Sequence, residues 1–297
     1  MAQLREIKNR IDSIEGTQKI TSAMYMISTT KLRQAKISRD NNAVYFNALK
    51  NMLERLLRHL PSFDHPYLRV SDKPKEEQVH AYIVVTADRG LAGAYNLNVI
   101  KAADKLAGED GGRTQLFVVG EAGRRYYHNH GVKYEEGFVY SSERPTHARS
   151  RAITGTVLSR FEDGLIDDLK IIYTDMKSAI ENDVRVRQML PLVSAFDKMK
   201  NVPGDIYNEE FLLSPSPREV LNAVVPNYLN GYIYSALIES FCAEQNSRML
   251  AMQTASDAAV SIVKDLSVKY NRARQQVITQ ELTEVSAGAE AIGAFMD

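Results

Sequence analysis

Leu4-Arg-Glu-Ile7-Lys-Asn-Arg-Ile11-Asp-Ser-Ile14 sets apolar side chains three and four residues apart, the spacing that lines one side of an α-helix. The rhythm returns at Ile20, Met24 and Ile27, and again at Phe46, Leu49, Leu53, Leu56 and Leu60; no proline interrupts the first 60 residues. Steps of three and four define a narrow seam of coiled-coil type. The six-residue step from Ile14 to Ile20, with Gly16 inside it, is expected to be a slip in the seam's phase. One helix of about 55 residues, at about 1.5 Å per residue, is roughly 80 Å long, so residues 1–60 are expected to leave the globule.

Pro61, Pro66 and Pro74 end this helix in a polar linker, after which the period changes. Val79–Thr86 is a short β-branched run suited to a buried strand; a turn containing Gly90 and Gly93 and a helix from about Asn96 to Leu106 follow. Thr114–Gly120 and a helix from Glu121 to about His130 repeat the pattern. A helix between about Arg149 and Asp168, the strand Leu169–Thr174 and a further strand near Val184–Val193 complete it. Alternating strands and helices imply a small α/β domain over residues 75–200, with the loop Met199–Pro217 after it. From Val220 helical spacing resumes almost to the end, with interruptions expected only at Pro226 and Gly231. The stripe Met249, Met252, Ala255, Ala259, Ile262, Leu266, Tyr270, Ala273 and Val277 makes residues 218–297 a second long helix able to pack on the first.

In a chain of 297 residues, 37 basic and 37 acidic side chains cancel, so no chain-wide field holds nucleic acid or acidic lipid. The charge is divided, however: residues 1–60 carry net +6 and residues 227–297 net −3, which favours pairing of the helices and leaves a basic side for an acidic partner. Cys242 is the single cysteine, which excludes an internal disulfide or a cysteine-rich zinc module; its helical surroundings fit a packed seam residue. No window is apolar enough to cross a bilayer and the start lacks an apolar signal core, so a cytoplasmic-side protein is expected.

Candidate chemistry is sparse. Thr86-Ala-Asp-Arg-Gly-Leu-Ala-Gly-Ala-Tyr-Asn96 lies between strand and helix, where a phosphate loop would sit, but its glycines give only G-x-x-G and no P-loop motif occurs. A structural turn is expected, with Asp88 and Arg89 in local or intersubunit contacts. His128 and His130 form an H-x-H without a third ligand at a recognisable interval, so they are expected to be a surface pair. The sequence supplies no catalytic set and implies neither metal nor cofactor.

Ile278-Thr-Gln-Glu281-Leu-Thr-Glu284-Val-Ser-Ala-Gly288-Ala-Glu-Ala291 resembles the C-terminal signature of the F-type ATP synthase gamma subunit family, bacterial type. The likeness extends to Lys19–Met26, Lys31-Leu-Arg33, Thr86–Asn96, Glu239–Ala255 and Tyr270–Gln275. It implies an α/β-plus-long-helix fold, in which the N- and C-terminal helices form an antiparallel coiled coil carrying an inserted small α/β domain. It implies a rotor without catalytic residues of its own, held among three alpha and three beta subunits and contacting epsilon and the c-ring. Nucleic acid and direct membrane insertion are not part of that expectation; a peripheral position at the cytoplasmic face of the bacterial plasma membrane is.

By the resemblance, Met24, Arg248, Arg274, Gln275, Thr279, Glu281 and Glu284 are candidate contacts to beta subunits, Arg274 and Gln275 as the pair bonding a beta-subunit loop. Leu213 and Ser214 are candidate foot contacts to the c-ring. The chain departs from the family at Ala92, where many relatives have cysteine, and at Ser214, where an acid often stands, which weakens the charge contact there. The cysteine-bearing insertion of the chloroplast form is missing. Two rival readings are an α/β nucleotide-binding enzyme with helical arms and a coiled-coil scaffold or nucleic-acid binder.

Overall fold

The computed structural model describes residues 2–59, 64–111, 113–178, 181–195 and 213–293. Among the described residues the α-helices are α1 (Ala2–His59), α2 (Tyr95–Glu109), α3 (Glu121–Asn129), α4 (His147–Glu162), α5 (Leu192–Ala195) and α6 (Pro217–Gly293), and the strands are β1 (Val79–Val85), β2 (Arg113–Val119), β3 (Asp168–Met176) and β4 (Asn182–Leu190). Two compact units result: Met1–Ser28 with Met249–Asp297, and Thr29–Arg248.

In the larger unit the sheet order is β2-β1-β3-β4, with β1 parallel to β2 and β3, and β4 antiparallel to β3. β1 is apolar along nearly its whole length because both of its faces are covered. Ala81, Ile83 and Val85 share one core with Leu53 and Leu56 of α1, Ile153 and Val157 of α4, and Leu221, Val225, Leu229 and Ile233 of α6. Tyr82 and Val84 meet Val99, Ile100 and Ala103 of α2 and Tyr127 of α3 on the other face. At about 1.5–3 kcal/mol for each fully buried large aliphatic or aromatic side chain, this sandwiching of the sheet is the main term holding the unit together. Cys242 is wholly buried and its thiol is pushed up to about 11, mainly by burial.

The interruptions expected in the last helix do not occur: α6 runs through both Pro226 and Gly231. A mid-helix proline costs about 3 kcal/mol, and Leu221, Val224, Val225, Tyr228 and Leu229, all buried around it, outweigh that loss. Gly231 serves packing. A Cβ there would lie 3.4 Å from Phe46 Cδ2, so the missing side chain admits the Phe46 ring, which stacks on Tyr228 and meets Tyr232 edge-on. α4 ends at Glu162, six residues before the expected Asp168, and β4 ends at Leu190, ahead of the expected Val193. Pro191, which cannot extend the ladder, separates β4 from α5. Of the loop expected at Met199–Pro217, residues 199–212 lie outside the described residues.

The expected phase slip at Gly16 is also absent. Burial along α1 keeps an unbroken three-four alternation through Leu4, Ile7, Ile11, Ile14, Gln18, Thr21, Tyr25, Ser28, Leu32, Ala35, Arg39, Asn42, Phe46, Leu49, Leu53 and Leu56. Ile20 and Ile27 are outside the seam, 63% and 56% exposed, and Met24 is half-buried at its flank. In the smaller unit, Ser22 Oγ lies 3.1 Å from Ser256 Oγ, an approach that large apolar side chains at this level would prevent. On α6 the seam holds Met252, Ala255, Ala259, Leu266, Tyr270, Ala273 and Val277 as expected, but takes Val263 in place of Ile262, which is exposed.

Candidate functional site

The Thr86–Asn96 turn is fixed from several sides. Thr86 Oγ1 donates to the Val119 carbonyl (2.9 Å) and accepts from Gly123 N (3.0 Å), and Asn96 Oδ1 accepts from Ala87 N (2.8 Å). Gly120 has φ +92, and a Cβ there would stand 2.2 Å from the Thr86 carbonyl oxygen, so only glycine lets the two loops meet. Asp88 accepts from Glu121 N at the start of α3 (3.1 Å), from Ser141 Oγ (2.5 Å), and from the backbone of Ser142 and Glu143 (both 3.1 Å). Burial alone would raise the Asp88 carboxyl; these donors outweigh it and hold the pKa below the ordinary aspartate range. An internal carboxylate thus caps the N-terminus of α3. Asp88 makes the local contacts expected of it.

α6 reaches the same turn through Arg248. Its Nη1 donates to Glu244 Oε1 (2.5 Å), and Nη2 to the carbonyls of Arg89 (3.1 Å) and Gly90 (3.2 Å). Only 10% of the Arg248 side chain and 3% of the Glu244 side chain are exposed. Burial raises the Glu244 carboxyl, opposed by the Arg248 charge. Tyr95, on the first turn of α2, shares a 2.6 Å hydrogen bond with Ser240 of α6. The turn so held presents Leu91 outward at φ +61, a strained value for a leucine. Glu244 was not singled out from sequence, although its i, i+4 spacing from Arg248 is the signal for it.

In the smaller unit the remaining candidates sit on α6. Ser22 opposite Ser256 places the beginning of α1 level with about residue 276 of its antiparallel partner. Val277 is the last half-buried residue among those described, and 278–287 are all exposed. Arg274, Gln275, Thr279, Glu281 and Glu284 are exposed there, Ile278, Leu282 and Val285 among them. Thr279 Oγ1 donates to the Gln275 carbonyl (2.9 Å) and Glu284 accepts from Gln280 Nε2 (3.0 Å), both within the helix. Leu213 packs against the core of the larger unit, while Ser214 is exposed. Arg274 to Glu284 therefore lie on one stretch of the smaller unit, while Leu213, Ser214 and the internally bonded Arg248 belong to the larger one.

His128 and His130 are both exposed; the His130 ring stacks on Tyr126 at 4.0 Å. Among the described residues no group of three or more His, Cys, Asp or Glu side chains is placed to hold a metal ion, and no helix is long and apolar enough to cross a membrane.

A family described as ATP synthase matches residues 3–292. The chain is 37% identical over 293 residues to the ATP synthase gamma chain of Halothermothrix orenii, covering 98% of this chain and all of that one. It is 35% identical over 290 residues to the gamma chain of Ruminiclostridium cellulolyticum, covering 97% and 98% respectively. Its fold is similar to a chain in the Euglena gracilis mitochondrial ATP synthase OSCP/F1/c-ring structure, with a TM-score of 0.66 at 16% identity over 100% of this chain and 96% of that one. The two long helices, the small α/β sheet, the Ile278–Ala291 signature and this full-length likeness agree: the chain belongs to the ATP synthase gamma chain family.

Proposed function

We propose that this chain is the central-stalk rotor of an F-type ATP synthase, coupling ion-driven rotation of a c-ring to conformational cycling of the catalytic beta subunits. The observation that carries the reading is the end of α6. Residues 278–287 form a helical stretch exposed on all sides, and they hold most of the family signature without burying it among the described residues. A helical stretch with three large exposed apolar side chains and no packing partner among the described residues has its contacts elsewhere.

The shaft acts by differential contact. A rotor that touched every conformational state of a beta subunit equally would shift none of them; an asymmetric one favours a different state at each of three chemically identical sites. In this reading Met24, Arg274, Gln275, Thr279, Glu281 and Glu284 meet beta subunits directly. Arg248 acts by holding the Thr86–Asn96 turn. Residues 1–60 and 218–297 are the shaft, and residues 75–200 with Leu213 and Ser214 the foot, beside epsilon and the c-ring. Three alpha and three beta subunits surround the shaft, and the chain contributes no catalytic group; the complex lies peripherally at the cytoplasmic face of the bacterial plasma membrane.

Deleting Val277–Asp297 tests the reading. The truncated chain is expected to keep the unfolding transition of the Thr29–Arg248 unit while the assembled complex loses coupling between ATP turnover and ion transport. Full ATP synthesis by the truncated complex would refute a necessary role for the tip.

A further inference from the structure

In the Thr29–Arg248 unit the linker between α1 and β1 is tied down through one histidine. His65, 2% exposed, caps a 3-10 turn at Pro66–Leu68. Its Nδ1 accepts from Tyr67 N (3.3 Å), and its carbonyl accepts from Leu68 N (2.9 Å) and Arg69 N (3.1 Å). The other ring nitrogen, Nε2, lies 3.0 Å from Asn222 Oδ1 on the second turn of α6. Tyr67 carries the tie on to α4: its ring is 4.8 Å from the imidazole, and its Oη donates to Glu162 Oε1 (2.5 Å). The linker, α4 and α6 thus meet through two adjacent rings.

These bonds require one protonation state. A ring nitrogen that accepts from a backbone N–H bears a lone pair, so the single imidazole proton sits on Nε2, where it donates to Asn222. A second proton, on Nδ1, would turn two donors toward each other. The charged groups facing the ring are Arg218 of α6, Glu162 of α4 and Asp64 in the linker itself. Burial, helped by Arg218, lowers the pKa of His65 from the ordinary 6.5, against the opposing pull of Asn222, Asp64 and Glu162. With the folded value below the unfolded one, the docked ring disfavours the second proton. Its hold is complete above about 6.5 and is lost as pH falls through the folded value.

We propose that His65–Arg69 is an acid-released strap: a proton on His65 Nδ1 expels the Tyr67 amide, and the linker lifts from Asn222 and Glu162 while the sheet stays folded. Tyr67 is 4% exposed and shares a core with Leu53 and Leu56 of α1 and Leu221 and Val225 of α6. Lifting it therefore loosens the packing of α1 on α6 in acid, and neutral pH restores it. The strap belongs to the larger unit alone and does not depend on the rotor reading.

Hydrogen–deuterium exchange of the full chain, corrected for the intrinsic pH dependence of exchange, tests the strap between pH 7.5 and pH 5. Protection of the Tyr67, Leu68 and Arg69 amides is expected to fall by about ten-fold or more, while that of β1 persists. His65→Asn keeps a side-chain acceptor for the Tyr67 amide at every pH, so its strap is expected to stay protected throughout. Asn222→Asp sets a carboxylate against Nε2, favours the second proton and is expected to move the midpoint of the loss upward by about one pH unit. Strap protection in the unsubstituted chain that is flat down to pH 5 overturns the proposal, whatever the variants do. So does an equal loss in β1, a loss in His65→Asn at the unsubstituted midpoint, or a midpoint that Asn222→Asp leaves in place.

Discussion

Arg248 Nη1 sits 2.5 Å from Glu244 Oε1 while Nη2 of the same guanidinium bridges the carbonyls of Arg89 and Gly90, so one side chain neutralises a buried acid and ties α6 to the β1–α2 turn. Replacing it with alanine strands Glu244 in a site where 3% of the side chain is exposed. Removal of one partner from a buried pair costs about 3–5 kcal/mol, whereas replacing both costs far less. Arg248→Ala is therefore expected to lower the urea midpoint sharply, and Arg248→Met with Glu244→Gln to recover much of the loss. Lysine, with one ammonium for three acceptors, should recover only part. Equal destabilisation by the single and double variants would show that the pair is not the unit holding the turn.

Gly120→Ala and Gly123→Ala are expected to be among the most damaging single-methyl additions in the chain. The first new Cβ would meet the Thr86 carbonyl oxygen at 2.2 Å from a backbone at φ +92; the second would meet Thr86 Oγ1 at 2.6 Å. Gly16 offers the control. Its Cβ would have nothing within 4 Å and it lies mid-helix, so Gly16→Ala should stabilise by about 0.5–1 kcal/mol. Denaturant unfolding of the three variants settles the order; a neutral Gly120→Ala would contradict the packing described.

Glu239 on α6 faces Tyr173 and Asp175 of β3, Arg185 of β4 and Arg39 of α1; burial, with the Asp175 charge beside it, raises its carboxyl to about 7. The folded pKa exceeds the usual 4.5, so the folded state favours the protonated form. Its contribution is complete below about 4.5 and is lost as pH rises through about 7. Glu239→Gln, neutral throughout, should then match wild type near pH 5 and exceed it at pH 8, by at most about 3 kcal/mol. Urea unfolding at the two pH values reads this directly, and a pH-independent difference would show that Glu239 ionises normally.

The long helices and the sheet were legible because burial and period coincide there: Leu53 and Leu56 are apolar and inside, and Ile83 lies in a strand covered on both faces. What misled the reading was the middle of α1, where the seam holds Gln18, Thr21 and Ser28 and the isoleucines lie outside. Hydrophobic periodicity marks apolar side chains without distinguishing those packed within the chain from those that face away from it. Pro226 and Gly231 misled for a different reason: local propensity favours a break, and long-range packing against α1 and the sheet overrides it. Asp88 was visible as a turn residue, yet its donors at Glu121 and Ser141–Glu143 are brought to it only by the fold.

The placement of those isoleucines yields a test that separates the two phases of α1. If Ile20 and Ile27 formed the seam, glutamine at either would remove a buried aliphatic and cost about 2–5 kcal/mol. Being 63% and 56% exposed, they should instead change the stability of the free chain by no more than about 0.5 kcal/mol. Ser28 is 2% exposed against the partner helix, so Ser28→Leu, which adds apolar bulk and would help an outward position, should destabilise by about 1–3 kcal/mol. Urea unfolding of the free chain gives the three values. A large loss at Ile20 together with a neutral Ser28→Leu would restore the slipped phase and displace the three-four alternation through Thr21 and Ser28.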